Sequence, residues 1–171
     1  MLLGKSFYMR DRVTVAKEMV GKLLVVETEN GRTVQRISET EAYGFEDDTA
    51  CHAHKGRTKR TETLYMEGGT VYVYLCYGMH WLLNIVTGEK ESPQAVLIRA
   101  CVDAAGPGKL TKKAGVTGEF NQTDATGSGK LWLEDDGARF EMIPDKRVGI
   151  GYASQEDQDK LWRFKMGKRI K

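Results

Sequence analysis

Glu39 and Glu41 stand two residues apart at the end of the stretch ISETEAYG. On an extended chain, side chains two apart share a face. Both carboxylates and the ring of Tyr43 then point the same way, and His52 and His54 lie in the loop behind them. A carboxylate at a strand end, with aromatic and imidazole neighbours, has the makings of a general base whose pKa is tuned by its surroundings. The plainer alternative is a solvated strand-end charge for each acid and a satisfied loop histidine for His52. Arg99 interrupts the apolar run QAVLIRACVD. A cation there needs a partner, and a carboxylate, a phosphate or a bound water network would answer. Asn84, among LL and IV, likewise needs hydrogen-bond partners if buried. Cys51, His52, His54 and Glu41 could be read as metal ligands. That reading is discounted, because Cys51 and His52 are adjacent and no second pair has helical or finger spacing. No metal and no cofactor is expected.

The stretch GGTVYVYLCYGMHWLLNIVTG, residues 68–88, must position several of these groups. Its alternating β-branched and aromatic residues, broken at Gly78, predict a β-hairpin. Val71, Val73 and Leu75 should face a core, with Tyr72, Tyr74 and Cys76 on the opposite face. Tyr77 adjoins the turn glycine and stands at the tip, where burial is difficult. A tyrosine there suits contact with a flat partner such as a nucleobase. An ordinary core hairpin remains the plainer reading for the strand positions, since tyrosine is enriched in strands.

The other elements follow in order. Thr14 can cap a helix over VAKEMV, which Gly21 can end. Lys22–Thr28 and Thr33–Glu41 read as strands joined through Asn30-Gly31, a strong hairpin signal. Residues 42–60 form a polar segment too long for a neutral connection. One helical turn is expected over Thr61–Met66, a strand over Gln94–Asp103 and a short basic helix over Gly106–Ala114. Lys130–Glu134, Ala138–Met142 and Arg147–Ile150 have the spacing of a β-meander. The expected fold is α+β: one compact domain over residues 1–171 with a largely antiparallel curved sheet, short helices and a protruding hairpin.

A chain of 171 residues suits one domain with a real core. No apolar run is long enough to span a bilayer. The start MLLGKSFYMR lacks the apolar stretch of a signal peptide. Three cysteines without a CxxC pair argue against a disulfide framework and fit a reducing cytoplasm. The formal net charge is only +2, but cations cluster at Lys55–Arg60, at Lys109–Lys113 and from Arg163 to Lys171. Such segregation permits a basic face on a nearly neutral protein. From charge alone, solvated loops and a frayed tail are the simpler reading.

Taken together, SETEAYGFEDDTACHAHKGRTKR, GGTVYVYLCYGMHWLLNIV, AVLIRA, GPGKLTKKAGV and RVGIGYA with WRF close behind resemble the successive motifs of the alkyladenine (3-methyladenine) DNA glycosylase family. They run in family order from Val15 to Phe164, and the first two blocks are the specific ones. The resemblance implies a monofunctional base-excision repair enzyme. It would flip a damaged purine from the duplex, cut the N-glycosidic bond with water and leave an abasic site. It gives Glu41 the role of activating the water, with Arg99 holding that water. Tyr43 and His52 would wall the base pocket, His52 also near the water or base edge. Tyr74 would stack from the other side, and Asn84 would reject purines with an exocyclic 2-amino group. Tyr77 would wedge into the minor groove, with Gly78 and Met79 beside it. From the basic clusters, and not from the resemblance, Arg57, Lys109 and Lys112 are expected to contact phosphates. The implied partner is double-stranded DNA carrying damaged purines, with no membrane, a monomeric enzyme and a cytoplasmic, nucleoid-associated location in a bacterium.

Departures from the family pattern are local. The family continues its tyrosine with Leu-Gly-Pro, whereas Tyr43 precedes Gly44-Phe45-Glu46. His80-Trp81 and the ending KMGKRIK also differ, and residues 165–171 read as a disordered basic tail. An alternative of another class is a non-catalytic nucleic-acid-binding domain, since the family's fold resembles an RNA-binding domain appended to formyltransferases. It would keep the tyrosines and the basic face but have no use for Glu41 beside Arg99. A metal hydrolase on Glu41, His52 and His54 is the third reading.

Overall fold

The computed structural model describes residues Met1–Lys171. Two short helices open the chain, α1 (Lys5–Tyr8) and α2 (Arg12–Met19). Asp11, and not Thr14, caps α2: its carboxylate accepts from the backbone N–H groups of Val13 and Thr14. The helix therefore starts two residues before the expected cap, and Thr14 is a donor within its first turn. Strands β1 (Leu23–Thr28) and β2 (Gly31–Gly44) form the expected hairpin, with Thr28 opposite Gly31.

The second hairpin is β3 (Val71–Cys76) and β4 (His80–Val86), followed by β5 (Gln94–Cys101) and α3 (Pro107–Ala114). Then come β6 (Leu131–Glu134), β7 (Arg139–Asp145), α4 (Gln155–Asp159) and β8 (Arg163–Ile170). The sheet runs β3-β4-β5-β2-β1-β6, with β8 added beside β2 and β7 beside β8. Every pairing is antiparallel. The fold is the α+β class expected from sequence.

One face of the sheet packs against the helices. Val71, Val73, Leu83, Ile85, Val96 and Ile98 lie on it, in one core with Val15, Met19 and Leu110. Along β2 the core-facing positions change parity. Gln35 and Ile37 are buried on the core side, but after them the buried positions are Thr40 and Ala42. The switch coincides with register shifts between Ile37 and Thr40, where β2 and β5 fall out of step and Arg99 has no partner opposite. A bulge adds one residue and so reverses the faces of everything beyond it. Glu39, Glu41 and Tyr43 thereby leave the core face for the opposite one.

Four expectations need correction. Leu75 does not join Val71 and Val73 in the core; it is 41% exposed, because the hairpin projects past the packed part of the sheet. The meander is absent: β6 pairs with β1, and β7 pairs with β8. Arg147–Ile150 is not a strand but a loop, and its Val148 N–H is committed to a side chain. The tail is not a loose arm. Lys165 lies opposite Glu39 on one side and Ile143 on the other, Arg169 lies opposite Phe140, and the ring of Phe164, which leads into this stretch, is in the core.

The tail's role is measurable. Phe164→Ala should destabilise the protein by about 3–5 kcal/mol, as expected for an aromatic ring lost from a core. Denaturant unfolding reads this directly, and a midpoint equal to wild type would restore the frayed tail.

Candidate active site

The face opposite the core carries the functional residues in a row fixed by strand register. Tyr72 lies opposite Asn84, Asn84 opposite Leu97, Leu97 opposite Glu41, and Glu41 opposite Arg163. Two residues along, Tyr74 is on the same face of β3 as Tyr72, and Arg99 is on the same face of β5 as Leu97. The segment from Phe45 to Tyr65 folds over one end of this row. It buries Cys51, Ala53, Leu64 and Tyr65 against Tyr72, Val86 and Ala95. A recess of about 380 Å³, including its mouth, remains between Tyr43, His52, Tyr72, Tyr74, Asn84 and Tyr152, among others. It opens into a cleft of about 1470 Å³, much of it open solvent, that Glu41, Arg99, Tyr77 and Lys109 line from different sides.

Glu41 is the best-held group of the site. Its side chain is 0% exposed. One carboxylate oxygen, Oε1, accepts from the Tyr43 hydroxyl at 2.9 Å and lies 3.6 Å from the Arg99 guanidinium. The other, Oε2, accepts from the Val148 backbone N–H at 2.7 Å. Burial raises its pKa, and Arg99, the Val148 N–H and Tyr43 oppose that rise in this order. A carboxylate so placed is ionised at a cost and is correspondingly basic. The Tyr43 hydroxyl is held far above its ordinary value, first by burial and then by Glu41. It therefore stays protonated and remains a donor. Arg99 also lies 3.7 Å from Glu39, which in turn binds Arg163 at 2.7 Å. The strand arginine thus finds the carboxylate partners that its sequence setting demanded.

His52 adjoins this group through the recess wall. Its Nδ1 is 2.9 Å from the Tyr72 hydroxyl, and its ring is 4.6 Å from that of Tyr74. Burial, then Arg60, then Lys55, lowers its pKa to about 4. At neutral pH it is an uncharged imidazole, better suited to a wall than to donating a proton. Asn84 is buried and donates through Nδ2 to the Tyr72 carbonyl at 3.2 Å. Its carboxamide is at the recess. Cys51 lines the recess too, but burial pushes its thiol up to about 12, which leaves it unreactive. His54 points elsewhere, its ring bonded to the Glu46 carbonyl.

Tyr77 is at the hairpin tip, 93% exposed, with Met79 exposed beside it. The turn closes through Met79 N–H to the Cys76 carbonyl, and both Tyr77 and Gly78 have positive φ, at 51° and 66°. Positive φ at both central residues is the pattern of a type I′ turn. Glycine takes that conformation freely; a tyrosine does so at a cost.

The cations separate into two groups. Lys109, in the first turn of α3, lines the cleft. Lys112 is exposed in the last turn of that helix and outside the cleft lining. Arg57 is engaged on the far side of the lid: it binds Glu91 at 2.5 Å, lies 3.8 Å from Glu62 and covers the Tyr65 ring. Its neighbour Arg60 faces the cleft instead, with its guanidinium 5.2 Å from the Tyr74 ring.

Several residues escaped sequence reasoning. Arg147 and Asp48 form a bidentate pair with both side chains buried. Val148 contributes only a backbone N–H, and Tyr152 closes the recess with its hydroxyl on the Ala50 carbonyl at 3.0 Å. The one visible signal was RVGIGYA itself, where an arginine opens a run of glycines and apolar residues.

Comparison with known proteins agrees with this geometry. A model of the methylpurine-DNA glycosylase family matches residues 6–103 and 102–169. A protein of Borreliella afzelii that carries the name of a 3-methyladenine DNA glycosylase is 43% identical over 175 residues, covering 95% of this chain and 94% of its own length. Similarly named proteins of Natranaerobius thermophilus and Methanocella arvoryzae are each 39% identical, over 96% and 95% of this chain and 94% and 91% of their own lengths. With both the specific hairpin and the Glu41 strand inside the matched region, this chain belongs to the methylpurine-DNA glycosylase family.

Proposed function

We propose that this protein removes alkylated or deaminated purines from double-stranded DNA by hydrolysis of the N-glycosidic bond. The observation that carries the proposal is Glu41. It is a fully buried carboxylate on the wall of a solvent-open cleft, next to a recess walled by aromatic rings. A base inside a duplex is out of reach, so the target nucleotide must leave the stack, at a cost of a few kcal/mol. Stacking on an aromatic wall returns roughly 1–3 kcal/mol per base. Tyr43, His52 and Tyr74 supply such walls, and Tyr77 on the projecting tip fills the vacated place in the duplex, as minor-groove wedges do.

In the chemical step Glu41 takes a proton from water while the water oxygen bonds to C1′ of the sugar. The glycosidic electron pair leaves with the purine. An alkylated purine carries positive charge and departs neutral, so it needs no strong acid, in keeping with an uncharged His52; a deaminated purine is neutral, departs as an anion and takes its proton from solvent. Electron-rich ring faces favour the cationic base before it leaves. The Glu41–Arg99 contact of 3.6 Å supports this reading over a non-catalytic nucleic-acid domain, which has no task for a buried acid.

Glu41→Gln should lower single-turnover excision by roughly 10²–10⁴-fold, the range of general-base catalysis, with lesion-duplex affinity retained. Wild-type excision should fall on the acid side with a midpoint above the ordinary carboxylate range, since burial raises the pKa of Glu41. The same shift has a stability sign. A raised folded pKa stabilises the fold below the unfolded value, and that stability is lost as pH rises through the folded one. Glu41→Gln should therefore melt no lower than wild type at about pH 7, with any gain shrinking towards about pH 4. Excision by the variant within tenfold of wild type would sink the assignment.

Replacing Tyr77 with Gly should relieve the strained turn and leave the melting temperature equal or higher. Flipping, followed by 2-aminopurine fluorescence beside a lesion, should weaken. A lower melting temperature with normal flipping would make Tyr77 a structural residue.

Lys109→Ala should flatten the plot of log affinity against log salt by about 0.9 per lost phosphate contact. Arg57→Ala should leave the slope unchanged, because Glu91 and Glu62 already hold that guanidinium. The reverse outcome would place the DNA-binding face over the lid.

A further inference from the structure

We propose that Arg147, through its buried pair with Asp48, is a positioning residue that sets the Glu41 carboxylate and the Tyr43 ring against the recess. The proposal rests on the excision reading above for its catalytic meaning, but its geometry is independent of that reading.

Arg147 is fully buried and joins four parts of the chain. One terminal nitrogen, Nη1, donates to the Ala42 carbonyl at 3.0 Å and to Asp48 Oδ2 at 2.7 Å. The other, Nη2, donates to Asp48 Oδ1 at 3.0 Å and to the Asp157 carbonyl at 3.2 Å. The plane of the guanidinium lies between the rings of Tyr43 and Trp162, at 4.8 and 5.0 Å. Asp48 is equally committed: it also accepts from the N–H groups of Gly44 and Ala50. The pair therefore ties the end of β2, the start of the lid and helix α4 to one point.

The next residue, Val148, gives its N–H to Glu41 at 2.7 Å. Since Val148 is itself largely exposed, its side chain cannot anchor that N–H. The anchor is the buried guanidinium one residue earlier. Ala42, which accepts from Arg147, sits between Glu41 and Tyr43 on the same strand. One cation thus fixes the residue between the base and the recess wall, the back of that wall, and the loop that donates to the base. Only a planar group with five fork-arranged donors can hold a bidentate carboxylate and two carbonyls while packed between two rings. A pair serving packing alone would have no reason to stand next to the Glu41 donor.

The charged and titratable groups facing Glu41 are Tyr43 on its own strand, Arg99 from β5, and Arg147 with the Val148 N–H from the loop. Glu39, tied to Arg163 of β8, lies beside it. Of these the loop is the element that Arg147 and Asp48 control.

The test uses the full chain with Arg147→Lys, Asp48→Asn and Val148→Pro. The first two break the bidentate pair; the third removes the N–H donor and keeps both charged side chains, although the ring also fixes φ at residue 148 and restricts the backbone of Arg147. Three quantities are measured: single-turnover excision of 7-methylguanine and hypoxanthine duplexes at saturating enzyme, affinity for the same duplexes, and titration of the Glu41 carboxyl by carbon NMR. The expected result is a roughly 10²-fold slower single turnover, the size that a misplacement of about 1 Å can cause. Duplex affinity should change much less, and the Glu41 titration and the acid limb of the rate should move upward together. Val148→Pro should reproduce the titration shift without the loss of melting temperature seen in the other two. Unmoved single-turnover rates and an unmoved Glu41 titration in folded variants, whatever their melting temperature, would overturn the proposal. So would a Val148→Pro protein indistinguishable from wild type. A wild-type chain that excises no damaged purine would sink the excision reading instead, and the Glu41 titration would still decide the positioning.

Discussion

An ionised carboxylate with no exposed surface is the constraint on which the rest of this molecule depends. Burying such a charge without partners costs several kcal/mol even after relaxation, and the group would escape by taking a proton. Burial raises the pKa of Glu41, and groups from its own strand and from elements distant in sequence oppose that rise. The Tyr43 hydroxyl comes from its own strand, the Arg99 guanidinium from β5, and the Val148 N–H from the loop before α4. A fold that let any of these drift would raise the pKa of Glu41 further. The antiparallel sheet, the bulge and the Arg147 clamp are the means by which they are kept in place.

The bulge in β2 is the link between fold and chemistry. Strands alternate, so a regular β2 with Ile37 in the core would also send Glu39, Glu41 and Tyr43 into that core. Three polar side chains would then face Val96 and Ile98. By breaking step between Ile37 and Thr40, the chain keeps Ile37 and Ala42 inward and turns Glu39, Glu41 and Tyr43 outward. Arg99, left without a partner opposite at the same break, is free to lean onto the two carboxylates. The irregularity that weakens the ladder at this point assembles the base.

Much of this was legible in the sequence, for a physical reason. Period-two alternation and turn glycines are local signals, so the hairpins β1–β2 and β3–β4 and the exposure of Tyr77 followed from neighbours in the chain. Glu41 and Arg99 were legible as misfits, one at a strand end and one inside an apolar strand. What was not legible depends on partners distant in sequence. Asp48 and Arg147 are ninety-nine residues apart and look like ordinary loop charges until folding buries them together. The strand at 163–170 alternates poorly and is basic, so it reads as a tail; its ladder partners β2 and β7, not its composition, make it a strand. Arg57 and Arg60 are three apart with similar neighbours, and only the path of the lid decides that one meets Glu91 and the other the cleft. The cap of α2 was misplaced for a smaller reason: Thr14 and Asp11 are both competent caps, and the carboxylate, accepting from two N–H groups, is the stronger.

The tip of the second hairpin shows what stability alone does not explain. A β-turn with positive φ at both central positions selects asparagine, aspartate or glycine, which occupy that region at little cost. Here a tyrosine takes the first position at φ 51°. It makes no compensating contact within the chain, because nearly all of its surface meets solvent. Strain of about 1–3 kcal/mol at such a residue persists only where something else maintains it. Nothing in the packed part of the molecule does so: Gly78 already supplies the turn, and β3 and β4 are paired up to Cys76 and His80 without it. The side chain stands at the end of a strand pair, exposed, at one side of the cleft that Glu41 also lines. A flat ring displayed on a strained turn beside the cleft that Glu41 lines is open to a partner outside the chain. On the function proposed above, that partner is a base stack from which one base has been taken out.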